Sequence, residues 1–223
     1  PRLRDEIGAA CGFGGYCSLR HTFRFMMTGQ YNEAGKEAYL KPDPYGRWIV
    51  ATNYLTAVPG YEDATDVAEA LRTLACHAGD IGAASWDALY DPIIHNLRST
   101  IAMERRGLFD LFAPGSKTHA PGPEAFHIGE QLEEAARLTD PTLDPTSVLG
   151  AVRGTVHLLH GRVDHLIPYS ESQRIAAALR VASPRLTITR LFNHSSQETI
   201  PTWRSAVEIP RFGRALGSVL SEL

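Results

Sequence analysis

The feature that most constrains the fold is an alternation of strand-like and helix-like segments in the last third of the chain. Residues 155–160 form a compact run of strand formers that ends at Gly161. Residues 170–173, Ser-Glu-Ser-Gln, have the capping-box pattern, and the apolar residues that follow share one face, which predicts a helix over about 170–180. Residues 186–192 alternate and include β-branched side chains, which predicts a second strand. This order favours a parallel sheet with right-handed crossovers.

The two ends of the chain fit the same plan. Residues 6–17 open as a short apolar run and end in glycines, which predicts a buried strand at about 6–11 that enters a loop. After Pro210, one face of a closing helix is marked by Phe212, Leu216, Val219 and Leu223. The predicted fold class is therefore α/β.

The middle of the chain has a different pattern of apolar residues. From about residue 20 to residue 149 the periodicity is helical and is broken by proline and glycine, as in residues 63–74 and 124–138, with no convincing strand. We expect a helical insertion within an α/β core. The domain prediction is core strand and loop over 1–29, helical insertion over 30–147, and core again over 148–223.

Composition excludes several classes of partner. The chain is 43% hydrophobic, which is enough for a full core, and its 22 basic and 25 acidic residues are scattered without long runs. This distribution gives no cluster of basic residues of the kind that binds nucleic acid or an anionic membrane. No run of about 18 apolar residues could span a bilayer, and the first residues are too polar for a signal peptide. Three cysteines without C-x-x-C spacing favour reduced thiols and a cytoplasmic location.

Two residues that follow the predicted strands are candidates for catalysis. Asp164 comes shortly after the strand at 155–160, and His194 comes shortly after the strand at 186–192. In open parallel sheets the ligand crevice lies beyond the carboxyl ends of the strands, so both side chains are placed to meet a substrate. A carboxylate that accepts a hydrogen bond from one ring nitrogen leaves the other nitrogen free to act as a general base. We expect Asp164 and His194 to lie within hydrogen-bonding reach.

The same residues carry a family resemblance. The segment HGRVDHLIPYSESQRIAAAL resembles the seventh strand, loop and helix of the α/β-hydrolase superfamily, and LTITRLFNHSS resembles its eighth strand and following loop. The resemblance implies that Asp164 is the acid and His194 the base of a Ser-Asp-His triad, in the chain order that this family uses. It also implies an α/β-hydrolase fold whose last parallel strands carry a large helical cap, an ester-like small-molecule substrate, and no cofactor.

The nucleophile of that triad is absent from the sequence, because no G-x-S-x-G-like elbow occurs. Two explanations remain. In one, residues 10–15 are the elbow with Gly12 in the nucleophile's place, and Cys11 is out of register by one. In the other, which we favour, residues 1–19 resemble the sixth strand and its loop, so an upstream segment or a second chain supplies the serine. Ser18 is a weaker rival because it lacks small residues at plus and minus two.

Other interpretations of the motifs are less favoured. His157, His160, Asp164 and His165 cluster within nine positions, as in a metallohydrolase, but Arg162 occupies a ligand position and cannot bind zinc. The two strand histidines should also point to opposite faces, so we expect no metal. The glycines at 12–15 lack the lysine of a phosphate-binding loop.

Two questions stay open from the sequence. Aromatic residues of the insertion could line an acyl pocket, although aromatics in helical segments are mostly core; they are Tyr45, Trp48, Tyr54, Trp86 and Tyr90. The second question is whether the chain is catalytic at all, since the alternative is a non-catalytic α/β-hydrolase-like protein that uses the same cleft for binding. A serine elbow in a partner segment would separate these two functions.

Overall fold

The structure is a computed structural model that describes residues 8–117, 123–180, 182–192 and 207–222. Its elements, in chain order, are β1 (Ala9–Phe13), α1 (Leu19–Thr28), β2 (Gln30–Glu33), β3 (Lys36–Tyr39), α2 (Pro44–Tyr54), α3 (Thr65–Ile81), α4 (Asp91–Thr100), α5 (Arg106–Phe112), α6 (Pro123–Thr139), α7 (Thr146–Leu149), β4 (Thr155–Gly161), α8 (Ser170–Ala178), β5 (Ser183–Thr189) and α9 (Ile209–Glu222). The chain divides into two compact units, one of Pro1–Ser18, Asn32–Ala34 and Asp144–Leu223, the other of Leu19–Tyr31 and Gly35–Leu143.

The first unit, the sheet unit, is built on three parallel strands in the order β1-β4-β5. Ala9 lies opposite Thr155, and Thr155 lies opposite Ser183, so the three strands start level with one another. The predicted mixed α/β class with a parallel sheet is therefore confirmed. The carboxyl ends of the three strands meet at one edge, which is where parallel sheets place ligand sites.

The side chains of β4 alternate between the two faces of this sheet, as the twofold period of a strand requires. Val156 and Leu158 pack on one face with Ile175 and Leu179 from the α8 segment, in a core that includes Cys17. His157 points to the other face, where its ring meets α9. The helix α9 confirms the predicted closing helix, and in the described residues its side chains are half-buried or exposed rather than buried.

The second unit, the helical unit, has a core of large apolar side chains from α2, α3, α5 and α6. Trp48, Leu71, Phe109 and Leu132 are all fully buried. The helix α2 begins where Asp43 accepts a hydrogen bond from the N–H of Tyr45 at 2.9 Å and Pro44 occupies the first helical turn. Such a start is favoured because the cap satisfies a free backbone donor and proline needs none.

A hairpin corrects the expectation that the insertion contains no strand. The strands β2 and β3 form a two-stranded sheet joined by Ala34 and Gly35, which have φ values of 51° and 84°. Two central residues with positive φ are the geometry of a two-residue hairpin turn. The flanking residues are largely polar and exposed. They therefore lack the apolar alternation by which a strand is recognised in a sequence.

The predicted boundaries of two strands are shifted. The first strand was expected at about 6–11 and is observed at Ala9–Phe13, with residues 1–7 outside the described part of the chain. The last strand was expected at 186–192 and is observed at Ser183–Thr189. Its pairing with β4 starts at Ser183, and the N–H of Arg190 bonds to the Glu208 carboxylate at 2.7 Å instead of continuing the ladder. Strand pairing, and not side-chain alternation, sets these ends.

The helix α8 differs slightly from its predicted form. It starts at Ser170, as expected, but the residue in the cap position is Tyr169, and no side chain caps the helix. The capping box predicted from Ser170 and Gln173 is therefore wrong, because Ser170 is already inside the helix. The helix ends at Ala178 rather than at residue 180, since Leu179 has an extended ψ of 100°.

Candidate functional site

Asp164 lies in the loop that leaves the carboxyl end of β4. Its side chain is buried, with 1% of the residue exposed. One carboxylate oxygen, Oδ1, accepts hydrogen bonds from the N–H groups of Leu166 at 2.9 Å and Ile167 at 3.0 Å. Backbone donors of this kind stabilise the ionised carboxylate and fix its orientation. The loop thus presents a rigid carboxylate at the edge where the parallel strands end.

His160 packs beside this carboxylate and is completely buried. Its Nε2 lies 2.9 Å from the carbonyl oxygen of Ile167 and its Nδ1 lies 2.7 Å from the hydroxyl of Ser172. A carbonyl only accepts, so Nε2 donates to Ile167 O, while Nδ1 is paired with the Ser172 hydroxyl. Asp164 Oδ2 is 3.4 Å from the same Nε2. His160 therefore braces the Asp164 loop against α8, with both nitrogens engaged.

His194, the predicted base, lies outside the described residues, as do all residues from 193 to 206. The expected hydrogen bond between Asp164 and His194 therefore stays a prediction. The strand β5 that precedes this segment is placed directly beside β4 and runs parallel to it.

Gly12 lies within β1, where it pairs with Leu158 of β4. The chain then passes through Gly14, which has a φ of 58°, and enters α1 only at Leu19. An elbow needs the nucleophile on a sharp turn from a strand directly into a helix. The geometry at Gly12 is wrong for that role, so the first of the two explanations for the missing nucleophile fails. The glycines at 12–15 belong to the strand end and the connection that follows it.

The connection from β1 to α1 is held by a residue that the sequence analysis did not single out. Glu171, in the first turn of α8, is buried with 1% exposed. Its Oε2 accepts hydrogen bonds from the N–H groups of Cys17 and Ser18, both at 3.0 Å. Its Oε1 is 3.2 Å from Nε of Arg174. The sequence offered no local signal for this role, because the partners of Glu171 lie 154 and 153 positions away.

The cysteines of the sheet unit are poor nucleophiles. Burial raises the pKa of Cys17 to about 11, and the negative charge of Glu171 adds to the effect. Burial also raises the pKa of Cys11. Because the thiolate is the reactive form, both shifts lower reactivity at neutral pH.

His157 lies on the face of the sheet opposite His160. Its Nε2 is 3.1 Å from Oε2 of Glu222 in α9, and the other oxygen of Glu222 is 2.5 Å from Nη1 of Arg185 on β5. The two strand histidines therefore point away from each other, as their spacing predicts. Within the described ranges, no group of three His, Cys, Asp or Glu residues is arranged to hold a metal ion. His157 ties α9 to the sheet.

Two of the aromatic residues in the insertion are core residues. Trp48 and Tyr90 are fully buried, with ring centroids 6.0 Å apart. The indole N–H of Trp48 donates to Phe112 O at 3.0 Å, and the hydroxyl of Tyr90 donates to Ala83 O at 3.0 Å. Buried aromatic polar groups with backbone partners of this kind stabilise a core.

Comparisons with protein-family models, with curated proteins and with solved structures found no match. No helix in the described part of the chain is long and apolar enough to cross a membrane. The class of protein that fold and site define is thus a mixed α/β protein with a parallel sheet, in which a buried carboxylate stands at the carboxyl edge of the middle strand.

Proposed function

We propose that this chain carries the acid and the base of an esterase of the α/β-hydrolase type. In this proposal Asp164 orients His194, and the serine nucleophile comes from outside residues 1–223. The substrate is a small molecule with an ester-like bond, and the reaction needs no cofactor.

The observation that carries the proposal is the position and hydrogen bonding of Asp164. It follows the middle strand of a parallel sheet, it is buried, and two backbone N–H groups bind one of its oxygens. A carboxylate that orients a catalytic imidazole must not swing away, and the N–H groups of Leu166 and Ile167 hold Asp164 in one orientation.

The chain topology supports the proposal independently. The strands β1, β4 and β5 are adjacent and parallel in that order, as the resemblance to the sixth, seventh and eighth hydrolase strands requires. The helical unit is inserted between β1 and β4, the place that a cap would occupy. In the described residues β1 has a strand neighbour only on its β4 side. A free strand edge offers backbone donors and acceptors to another strand, which fits a nucleophile-bearing strand from elsewhere.

The proposed mechanism is acyl transfer. His194 takes the proton of the serine hydroxyl as the oxygen attacks the ester carbonyl, and Asp164 stabilises the imidazolium that forms. Collapse of the tetrahedral intermediate releases the alcohol with the proton returned by His194. Water then repeats the sequence and releases the acid.

The test is fluorophosphonate labelling and p-nitrophenyl ester hydrolysis by the native full-length gene product. We expect a labelled serine outside residues 1–223, and a fall in turnover of about 10³–10⁴-fold in Asp164→Asn and in His194→Ala. His77→Ala, which changes an exposed histidine of α3, is the matched control and should retain activity.

Two results would contradict the proposal in different ways. Turnover by residues 1–223 alone that disappears in His194→Ala would place the nucleophile inside the chain, at Ser18 or a cysteine. No labelling and no turnover in the native product would favour the non-catalytic binding protein instead.

A further inference from the structure

Arg162 is fixed at the same edge of the sheet as Asp164. It directly follows the last residue of β4, and its N–H donates to the carbonyl of Thr189, the last residue of β5, at 2.6 Å. This bond extends the ladder between the two strands by one step. The backbone of Arg162 is therefore anchored two residues before the proposed triad acid, while the residue as a whole is exposed.

The side chain of Arg162 is supported by an aromatic ring. Its guanidinium carbon lies 5.4 Å from the centroid of the Tyr169 ring. Tyr169 is itself buried, and its hydroxyl donates to Oε1 of Glu33. The ring is thus held at its far end, and a stacked guanidinium keeps its N–H groups free at the edge of the plane.

Among the residues that the structure describes, no hydrogen-bonded acid neutralises the charge of Arg162. Across residues 8–117, 123–180, 182–192 and 207–222, its guanidinium donates no hydrogen bond and takes part in no ion pair. The nearby carboxylate of Glu208 is occupied, because its Oε2 accepts from the Thr189 hydroxyl at 2.9 Å and from the N–H of Arg190 at 2.7 Å. Partial burial opposes ionisation of Glu208, yet these bonds and the charges of Arg190 and Arg162 lower its pKa overall.

We propose that Arg162 binds a carboxylate on the substrate, remote from the ester bond, so that the enzyme selects monoesters of dicarboxylic acids. This inference rests on the proposed function. A planar guanidinium offers two parallel N–H donors that match the two oxygens of a carboxylate, and one guanidinium balances the charge of one carboxylate. Prior stacking on Tyr169 reduces the ordering that binding costs.

A binding experiment tests Arg162 without requiring turnover. Monomethyl glutarate is titrated into the protein, and affinity is followed by NMR chemical shifts for the wild type, Arg162→Met, Arg162→Lys and Arg153→Met. Arg153 is an exposed arginine just before β4, at its opposite end, and serves as the matched control. We expect Arg162→Met to weaken binding by about 10- to 100-fold, the range of a charge-assisted hydrogen bond. Arg162→Lys should recover part of the loss, and Arg153→Met should equal the wild type.

A kinetic experiment on the full-length product then addresses specificity. The ratio of kcat/KM for mono-p-nitrophenyl glutarate over p-nitrophenyl butyrate should fall about 10- to 100-fold in Arg162→Met and should not change in Arg153→Met. Equal affinity of wild type and Arg162→Met for monomethyl glutarate would overturn the inference. Binding of inorganic phosphate as tight as that of the monoester would also overturn it. Loss of all turnover with the binding difference intact would refute only the esterase proposal.

Discussion

Replacing Glu171 with leucine should destabilise the sheet unit far more than the loss of a surface charge would. The carboxylate is buried and accepts two backbone hydrogen bonds, from Cys17 and Ser18, both at 3.0 Å. Leucine fills a similar volume but accepts nothing. The connection from β1 to α1 would then retain two backbone donors without their partner.

The size of the effect follows from the surroundings of those donors. Cys17 is 6% exposed, so its N–H has little access to water, whereas Ser18 is half-buried and can be partly rehydrated. An unsatisfied buried donor such as the N–H of Cys17 costs about 1–3 kcal/mol, and the partly accessible N–H of Ser18 costs less. The ion pair with Arg174 adds little, because that guanidinium is 37% exposed. We expect a loss of about 2–4 kcal/mol for Glu171→Leu, and about half of that for Glu171→Gln, which keeps an acceptor.

Urea unfolding followed by circular dichroism measures this loss. The midpoint for Glu171→Leu should fall by about 1–2 M with an unchanged slope. Gln173→Leu is the matched control, because Gln173 is exposed on the same helix, and it should change stability by less than about 0.5 kcal/mol. If Glu171→Leu were as stable as Gln173→Leu, the carboxylate would not be holding the connection, and the reasoning from buried donors would be refuted.

Three further predictions concern the same unit. Burial raises the pKa of Cys17 from 9.0 to about 11, so the protonated thiol stabilises the folded state below pH 9 and this stabilisation is lost as the pH rises towards 11. Urea unfolding across that range should show a fall in the free energy of unfolding that is smaller in Cys17→Ala. The hydrogen bond with His157 is the main cause that lowers the pKa of Glu222. Glu222→Gln should therefore lower the melting temperature at neutral pH, and this difference from the wild type should vanish as the pH falls through the lowered pKa. Gly14→Ala should cost about 1 kcal/mol because of its φ of 58°, whereas Gly213→Ala, in open space on α9, should raise the melting temperature.

The middle strand and its helix were predictable because their signals are local. Residues 155–160 are a short run of strand formers without strict alternation, the pattern of a strand buried on both faces of a parallel sheet. The parallel order followed from the helix that separates β4 from β5, since a crossover of that length brings the second strand back in the same direction. The position of Asp164 at the carboxyl edge then followed from topology alone.

The features that sequence reasoning missed depend on partners distant in the chain. The ends of β5 are set by pairing with β4 and by Glu208, which takes the N–H of Arg190. The hairpin of β2 and β3 is polar and exposed, so it leaves no hydrophobic period. Glu171 bonds to residues 153 and 154 positions away. No spacing rule relates residues so far apart, and only the packing of α8 beside the end of β1 makes the carboxylate necessary.

The contrast between His157 and His160 shows why burial alone does not identify a catalytic histidine. Both lie on β4 and both are nearly inaccessible. The ring of His160 has both nitrogens engaged, by Ile167 and Ser172, and His157 holds Glu222 on the far face of the sheet. A general base needs one nitrogen oriented by a carboxylate and the other open to the reacting hydroxyl. His160 fails that requirement because its Nδ1 is paired with the hydroxyl of Ser172, and both residues are buried away from any substrate. His157 fails it because its ring points to the other face of the sheet, towards Glu222. In the proposed triad, the base comes from another segment, at His194.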